Sequence, residues 1–363
     1  MRSRAFALLL MATVLSAPAS AQFWKKKATQ TDDTEAFRIA LLAYQAQDYP
    51  KAFRLLQPLA KAGDAPAIAQ LAHMYEFGLG TQKNSSEAYR LYQKLMPLYQ
   101  SKADAGDTEA QYQIGQLHYA GKGVPENIPE AIRWYEKAAE QGHLISQYKL
   151  ALLYDTGEQT PRDADKAVAW YAKAAEQGHT NSQMFLAIKY FRGRDVDTDY
   201  EKAAYWFEKA AENGNAYSQS VLGFMYAAGQ GVKADKQKAL HWYRLGAEQG
   251  DTASQYDLGM KLKSGDGVTR NPSESAQWFR RAAERGHSAA QSELAGMYVK
   301  GEGLKRDAVL AYAWYNVAIM NGNYPASKPR DSLAKTMSKD DLAEAEQLSS
   351  MWKYGTGMER IPQ

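Results

Sequence analysis

The chain has 363 residues, of which 45% are hydrophobic and 23% are charged, and its formal net charge at neutral pH is +3. This length supplies ample apolar surface for a folded core. The near balance of charge excludes a dedicated nucleic-acid binder, which would show a basic stripe. The sequence contains no cysteine, so no disulfide stabilises the fold and packing alone must hold it together.

The first 21 residues have the pattern of an export signal. Arg2 and Arg4 precede an apolar segment over 5–15, and small residues form a cleavage site that ends at Ala21. The apolar segment is too short for a permanent membrane anchor. Gln22 follows the cut and cysteine is absent, so the chain is not a lipoprotein. We therefore expect a mature protein that is periplasmic or secreted and has no transmembrane segment.

Residues 22–33 are predicted to be a linker. The one basic cluster that stands out, three lysines at 25–27, lies here behind Phe23 and Trp24. Contact of these lysines with an anionic membrane is one interpretation. The favoured interpretation is a solvated linker between the signal and the fold.

Beyond the linker, a glycine recurs every 36 residues through most of the chain. The series is Gly106, Gly142, Gly178, Gly214, Gly250, Gly286 and Gly322, with an earlier member at Gly63. Six of these glycines have a tryptophan 28 residues further along the chain. The tryptophans are Trp134, Trp170, Trp206, Trp242, Trp278 and Trp314. A period of this size indicates a solenoid of helical hairpins. The pattern implies that the tryptophans are buried, and Trp206→Ala is then expected to cost about 3–5 kcal/mol.

Each repeat is predicted to contain two amphipathic helices. In the first helix, apolar or small residues lie 4, 8, 9 and 12 positions after the glycine, which places them on one face. The small residue at offset 9, such as Gly223, allows a neighbouring helix to approach closely. A second glycine at offset 15 is suited to end the helix at positive φ. These glycines are Gly78, Gly121, Gly157, Gly193, Gly229, Gly265 and Gly301.

The second helix is predicted to begin after an asparagine or aspartate at offset 21. The residues are Asn84, Asn127, Asp163, Asp199, Asp235, Asn271 and Asp307. Asn and Asp are preferred N-cap residues because their side chains accept bonds from free amides of the first turn. Three repeats add a glutamate three residues later, at Glu87, Glu130 and Glu274, which completes a capping-box pattern.

These units resemble Sel1-like repeats, a variant of the tetratricopeptide helical hairpin. The resemblance is carried by segments such as 131–142, which reads AIRWYEKAAEQG, and 223–232, which reads GFMYAAGQGV. It implies an all-α fold, a right-handed superhelical solenoid of helix-turn-helix repeats. The resemblance also implies a class of protein that commonly serves in assembly, signalling or host contact.

The resemblance sets the expected domain boundaries. They are 34–62 for a tetratricopeptide-like N-terminal hairpin cap, 63–321 for seven Sel1-like repeats, 322–354 for a C-terminal helical cap and 355–363 for a tail. Ser338 and Asp341 predict a capped final helix. Seven extra residues at 95–101 are expected to lengthen the second helix of the first repeat, and Pro97 is expected to kink or cap that extension.

The sequence predicts neither a metal site nor a cofactor. Asp195, Asp197 and Asp199 begin like a calcium loop, but Tyr200 stands where a glycine is needed and Trp206 where a bidentate glutamate belongs. Three of the six histidines share one helix-start position in different repeats, too far apart for shared coordination. No phosphate-binding loop or dinucleotide fingerprint occurs.

Two short matches point toward penicillin-recognising enzymes. Ser146 and Lys149 form a Ser-x-x-Lys pattern, and 263–265 resembles a Lys-Thr-Gly element. Ser146, however, occupies a small-residue position that Ser182 and Ser218 share in other repeats. Chance matches are therefore the favoured explanation, and no catalytic residue is assigned.

The resemblance to tetratricopeptide arrays places the first helices on a concave face. Offsets 3, 6, 10, 13 and 14 then line a groove. The predicted partner-binding residues are Tyr148, Leu152, Met184, Ile188, Phe191, Tyr217, Phe224, Tyr256 and Met260. An exposed apolar and aromatic stripe favours recognition of a peptide or helix. Burial of these side chains by tight superhelical curvature is the alternative.

The leading functional prediction is a non-catalytic periplasmic scaffold or adaptor. Its groove would hold a protein or peptide partner of the cell envelope, in complex assembly or in regulation of a signalling protein, with no nucleic acid and no small-molecule substrate. The alternative is a cell-envelope enzyme or ligand binder of the penicillin-recognising, β-lactamase-like type. A third possibility is that the chain stiffens an assembly through its ends.

Overall fold

The structure is a computed structural model that describes residues 32–360, and in this part of the chain it contains helices and no strand. The predicted signal peptide and most of the predicted linker lie outside the described residues. The helices form two compact units, one ending at Asp163 and the other beginning at Ala164. Each unit is built from helical hairpins, so the all-α repeat fold predicted from the sequence is confirmed.

Unit 1, residues 32–163, contains helices α1 to α7. They are α1 (Asp32–Gln45), α2 (Tyr49–Lys61), α3 (Ala65–Phe77), α4 (Ser85–Asp104), α5 (Thr108–Ala120), α6 (Ile128–Glu140) and α7 (Leu144–Thr156). Each helix packs against the next along the chain. This nearest-neighbour packing is what a solenoid of repeats requires.

Unit 2, residues 164–360, continues the same pattern and ends in a C-terminal cap. Its repeat helices are α8 (Ala164–Glu176), α9 (Thr180–Arg192), α10 (Tyr200–Glu212), α11 (Ala216–Ala228), α12 (Lys236–Glu248), α13 (Thr252–Ser264), α14 (Pro272–Glu284), α15 (Ser288–Lys300) and α16 (Ala308–Met320). A 3₁₀ turn (Tyr324–Ala326), α17 (Ser327–Ala334) and α18 (Lys339–Met351) follow. Helices α17 and α18 both pack on α16.

Within a repeat, the first helix ends where the sequence predicts. Gly229 closes α11 in the left-handed conformation, with φ of 68°, and its amide donates to the Met225 carbonyl. The small residue at offset 9 explains the close approach of the second helix. A methyl group placed on Gly223 would lie 2.7 Å from the ring of Tyr243 on α12. A glycine therefore brings the two helices of this hairpin into direct contact.

The second helix begins at the predicted N-cap residue, but the capping box is incomplete. The Asn84 side chain accepts a 2.9 Å hydrogen bond from the Glu87 amide. The backbone amide of Asn84 donates to the Tyr75 carbonyl at the end of the preceding helix. This amide is therefore not available to the Glu87 carboxylate. Glu87 instead accepts a 2.8 Å bond from Arg90. The corresponding amides of the other two predicted boxes are also bonded to the preceding helix, so that part of the prediction was wrong.

In five of the six repeats that carry the tryptophan, its neighbour at offset 29 is the more deeply buried residue, and the exception is the last repeat, where Trp314 is 1% exposed and Tyr315 is 6% exposed. Phe207 is 1% exposed, whereas the adjacent Trp206 is only half-buried. The other residues at offset 29 are Tyr135, Tyr171, Tyr243, Phe279 and Tyr315, all buried. The predicted burial of the tryptophans is confirmed for Trp134, Trp170, Trp278 and Trp314, but Trp206 and Trp242 are half-buried. The expected cost of 3–5 kcal/mol for Trp206→Ala is too high because this side chain already contacts solvent.

The seven-residue insertion extends α4 to 20 residues, compared with 13 for each of the other repeat helices after α1. The helix runs through Pro97 without ending, so the proline does not cap the extension. Leu95, at the start of the insertion, is 1% exposed and belongs to the core of unit 1. The added turns thus contribute to packing.

The C-terminal cap covers the last repeat helix. Because α17 and α18 pack on it, α16 is buried on nearly every side, and it is accordingly the most apolar helix of the described chain. Trp314 of α16 meets Trp352 with ring centroids 6.3 Å apart. Ser338 caps α18 by accepting a bond from the Asp341 amide, as predicted.

Candidate partner-binding surface

Seven of the nine predicted groove residues lie on three first helices of unit 2, and the other two lie on α7 of unit 1. In these helices the residues at offsets 4, 8 and 9 are buried against the second helix of the repeat. The groove positions lie on the remaining, outward part of each helix. We call this surface in unit 2 the open face, formed by Met184, Ile188, Phe191, Tyr217, Phe224, Tyr256, Asp257 and Met260.

In unit 1, the two predicted residues differ in accessibility. Tyr148 is 3% exposed, so its side chain packs inside the protein and does not face a partner. Leu152 is half-buried. Between them, Lys149 lies with its ammonium 5.5 Å from the centre of the Tyr119 ring. Burial lowers the pKa of Lys149 to about 8.

The α9 residues of the open face belong partly to the core. Met184, Ile188 and Phe191 are half-buried. The ring of Phe191 lies 6.1 Å from that of Phe207 and 5.5 Å from that of Tyr200, in edge-on contacts. These side chains therefore contribute an apolar border rather than freely exposed surface.

The α11 residues are the accessible centre of the open face. Phe224 is 48% exposed and Tyr217 is 42% exposed, while Leu222 and Met225 on the same helix are fully buried. Water thus reaches two aromatic side chains that are not needed to fill the core. A large exposed aromatic residue is costly for solubility and is enriched at protein interfaces.

On α13, the aromatic residue is held by the next repeat. Tyr256 stacks on His287 with centroids 4.7 Å apart and an angle of 23° between the rings, and it also lies 5.8 Å from Phe279. Met260 packs against the same C-terminal core cluster. Both side chains are half-buried.

Sequence reasoning missed one charged member of the open face. Asp257, at offset 7 of α13, is half-buried, and burial raises the pKa of its carboxyl to about 6. Other repeats carry Gln113, Phe185, Val221 and Glu293 at this offset. The repeat therefore does not constrain offset 7, and that variation is the signal that would have pointed to Asp257.

The histidines at offset 1 have a structural role. His143, His179 and His287 are N-cap residues, and Nδ1 of each accepts a bond from an amide three residues later, at 3.2 Å. Burial lowers the pKa of His179 to about 4. In residues 32–360, no group of three or more His, Asp or Glu side chains could hold a metal ion.

Residues of the segment that resembles a calcium loop, and of the short matches to penicillin-recognising enzymes, make contacts that stabilise the fold. Asp195 forms a 2.7 Å ion pair with Lys189, and Asp199 caps α10. Ser146 is fully buried, with its hydroxyl 2.9 Å from Nδ1 of His143. Lys263 forms a 2.5 Å ion pair with Glu293. Ser146 and Lys263 therefore have contacts that are typical of residues that stabilise a fold.

Among residues 32–360, none of the helices combines the length and the apolar character that a membrane span requires.

The comparisons with known proteins agree with this repeat architecture. The Sel1 repeat pattern matches eight segments, at 32–64, 65–95, 108–143, 144–179, 180–215, 216–251, 252–287 and 288–323. The first match includes the hairpin that the sequence suggested as an N-terminal cap. The break at 96–107 falls at the lengthened end of α4. A search of the curated proteins gave no match.

Two crystal structures of bacterial proteins are similar over most of the chain. A protective antigen present in uropathogenic Escherichia coli strains, displaying an SLR fold, is 32% identical with a TM-score of 0.67, and the match covers 93% of this chain and 72% of that one. A Sel1 repeat protein from Oxalobacter formigenes is 30% identical with a TM-score of 0.63, covering 90% of this chain and 94% of that one. The periodic glycines, the hairpin geometry and these matches together show that the chain belongs to the Sel1 repeat family.

Proposed function

We propose that this protein is a non-catalytic adaptor of the bacterial periplasm that binds a protein or peptide partner on the open face of unit 2. The observation that carries the proposal is the exposure of Phe224 and Tyr217 on α11, at 48% and 42%. Sel1 repeat proteins are commonly protein-interaction scaffolds, which supports this class of function. The export signal predicted from the first 21 residues supports the location.

The physical argument rests on the difference between the exposed and the half-buried members of the open face. Ile188 and Met260 pack against the core and would be retained for stability alone. Phe224 contributes little to the core at its present exposure, yet it places a whole aromatic ring beside this apolar border. Aromatic residues surrounded by a less exposed apolar rim have the character of binding hot spots. A partner helix or extended peptide would gain from burying Phe224 and Tyr217.

The experiment is crosslinked affinity capture from an envelope extract of the source organism, with the mature chain as bait. Phe224→Asp places a charge in the centre of the open face, and we expect it to reduce recovery of the partner at least tenfold. Tyr205→Asp is the matched control, because Tyr205 is 52% exposed on the second helix α10, outside the open face. We expect that control to capture the partner as the unchanged protein does.

Circular dichroism and thermal unfolding establish that both variants are folded. Equal recovery with folded Phe224→Asp and with the unchanged chain would contradict the proposal. A loss with Tyr205→Asp instead would move the interface to the second helices. Fractionation of cells that express the full chain tests the location, and retention of an uncleaved chain in the cytoplasm would contradict it.

A further inference from the structure

Asp257 has an unusual environment for an acidic side chain. It lies on α13 next to Tyr256 and one turn before Met260, within the open face of unit 2. Its carboxylate is half-buried, and in residues 32–360 no side chain or amide is hydrogen-bonded to it or forms a salt bridge with it. Removing a carboxylate from water without giving it a partner costs free energy. An unpaired, half-buried carboxylate therefore needs a reason beyond folding.

The nearest lysines of the same helix are already engaged. Lys261, whose charge acts on Asp257, binds Asp266 with 2.5 Å between Nζ and Oδ2. Lys263 binds Glu293 at the same separation. Their charges are thus largely neutralised by other carboxylates. No lysine or arginine of residues 32–360 forms an ion pair with Asp257, so a cation for this carboxylate has to come from outside this part of the chain.

The apolar centre of the open face adjoins this carboxylate. Helix α11, which carries Phe224, contacts α13, which carries Asp257. Phe224 is at offset 10 and Asp257 at offset 7, and both offsets fall on the part of the first helix that the core leaves accessible. The open face therefore presents an exposed aromatic ring on one helix and an unpaired carboxylate on the neighbouring helix.

We propose that the open face of unit 2 recognises a protein segment that combines an apolar side chain with one lysine or arginine, and that this cation pairs with Asp257. The proposal rests on the proposed function, because it names the chemistry of the partner of the same surface. A cationic side chain supplies the missing ion pair, while the apolar side chain covers Phe224. A phosphate-rich or anionic lipid partner would instead bring like charge to Asp257.

The test is selection from a phage-displayed library of random 12-residue peptides on the immobilised mature chain. Parallel selections use Asp257→Asn, Asp257→Lys and Phe224→Asp. On the unchanged chain we expect peptides enriched in large apolar residues and in one lysine or arginine. Asp257→Asn is expected to keep the apolar preference and lose the basic one. Asp257→Lys is expected to select acidic residues in its place.

The affinity of a selected peptide then gives the magnitude. We expect Asp257→Asn to weaken binding about tenfold, which is typical for a charged pair at an interface, and the peptide with glutamine in place of its basic residue to be weakened by the same factor. Both changes together should add little to either one. Full additivity would show that the two groups do not pair and would overturn the inference.

The selections separate the two proposals. If Phe224→Asp abolishes peptide recovery while Asp257→Lys leaves the basic preference unchanged, the open face binds partners but Asp257 does not read their charge. If Phe224→Asp leaves the selected peptides unchanged, the proposed function fails together with the inference drawn from it. Thermal unfolding of each variant ensures that only folded chains enter the comparison.

Discussion

Two acidic residues, one on α13 and one on the turn that follows it, have opposite effects on the stability of the fold. Asp257 is half-buried and its pKa is raised to about 6, because burial disfavours the charged carboxylate. Asp266, on the turn after the same helix, has the opposite environment. Bonds from Lys236 and Lys261 lower its pKa to about 2. One carboxylate therefore opposes folding at neutral pH and the other supports it.

The raised pKa of Asp257 predicts that replacing this residue stabilises the protein, and that the gain depends on pH. Because the folded pKa of Asp257 lies above its ordinary value of 3.8, the proton it holds favours folding below about pH 4, and that contribution is lost as pH rises through about 6. We expect Asp257→Asn to raise the free energy of unfolding by roughly 1–2 kcal/mol at pH 7 and by little at pH 4. Urea denaturation at both pH values measures this.

Asp266→Asn is the control, because it is expected to change the free energy of unfolding in the direction opposite to Asp257→Asn. Since its folded pKa is lowered, we expect this substitution to destabilise the protein at pH 7, with a smaller effect at low pH where the carboxyl is protonated. The same response from both variants would contradict the assigned environments.

At the scale of elements, contact between the two helices of a hairpin depends on one small residue. Gly223 and Gly259 lie at offset 9, and an added methyl group would approach an aromatic ring of the second helix at 2.7 and 2.8 Å. Gly296 is also inside a first helix, but a methyl group there would meet only the Tyr315 hydroxyl at 3.5 Å. The same residue type thus has two physical roles, and only the first sets the distance between helices.

These two roles predict opposite effects of the same substitution. Gly223→Ala is expected to destabilise the protein by about 1–3 kcal/mol, because Tyr243 is buried and cannot move away freely. Gly296→Ala is expected to stabilise it by about 0.5–1 kcal/mol, because alanine restricts the unfolded chain and favours the helix. Chemical denaturation of the two variants beside the unchanged chain checks the sign. A neutral result at Gly223 would mean that the hairpin opens to admit the methyl group.

At the scale of the whole molecule, stability is spread over repeats that each contact their neighbours. Unit 1 and unit 2 each have a core made of buried residues from successive hairpins. In unit 2 the array is closed by α17 and α18, which cover the apolar helix α16. A defect in one repeat should therefore affect nearby hairpins most strongly.

A pair of adjacent aromatic substitutions tests this distribution. Phe207→Ala removes a ring that is 1% exposed and is expected to cost about 3–5 kcal/mol, whereas Trp206→Ala removes a half-buried side chain and should cost clearly less. In hydrogen exchange followed by mass spectrometry, Phe207→Ala should increase exchange in α9 to α11 most and in α1 to α4 least. An equal increase throughout the chain would indicate a single cooperative unit.

The open face could be predicted from the sequence only in part. The offsets of Phe224 and Tyr217 placed them on the outer part of a first helix, where they are exposed. The same reasoning placed Tyr148 there, but Tyr148 is buried. Offset alone does not say how much of a side chain is covered by neighbouring helices. The apolar pattern does not indicate Asp257, and its unpaired state depends on Lys261 and Lys263 having other partners.

The sequence by itself determined the repeat length, the helix boundaries and the caps. These depend on local chemistry, since glycine permits positive φ and Asn, Asp or His accepts bonds from amides of its own helix. Only the tertiary structure decided that the N-cap amide of Asn84 bonds the preceding helix, that Phe207 rather than Trp206 fills the core, and which open-face residues remain exposed. Those outcomes depend on contacts between helices, whose distances are set by packing and are not written in the spacing of residues along the chain.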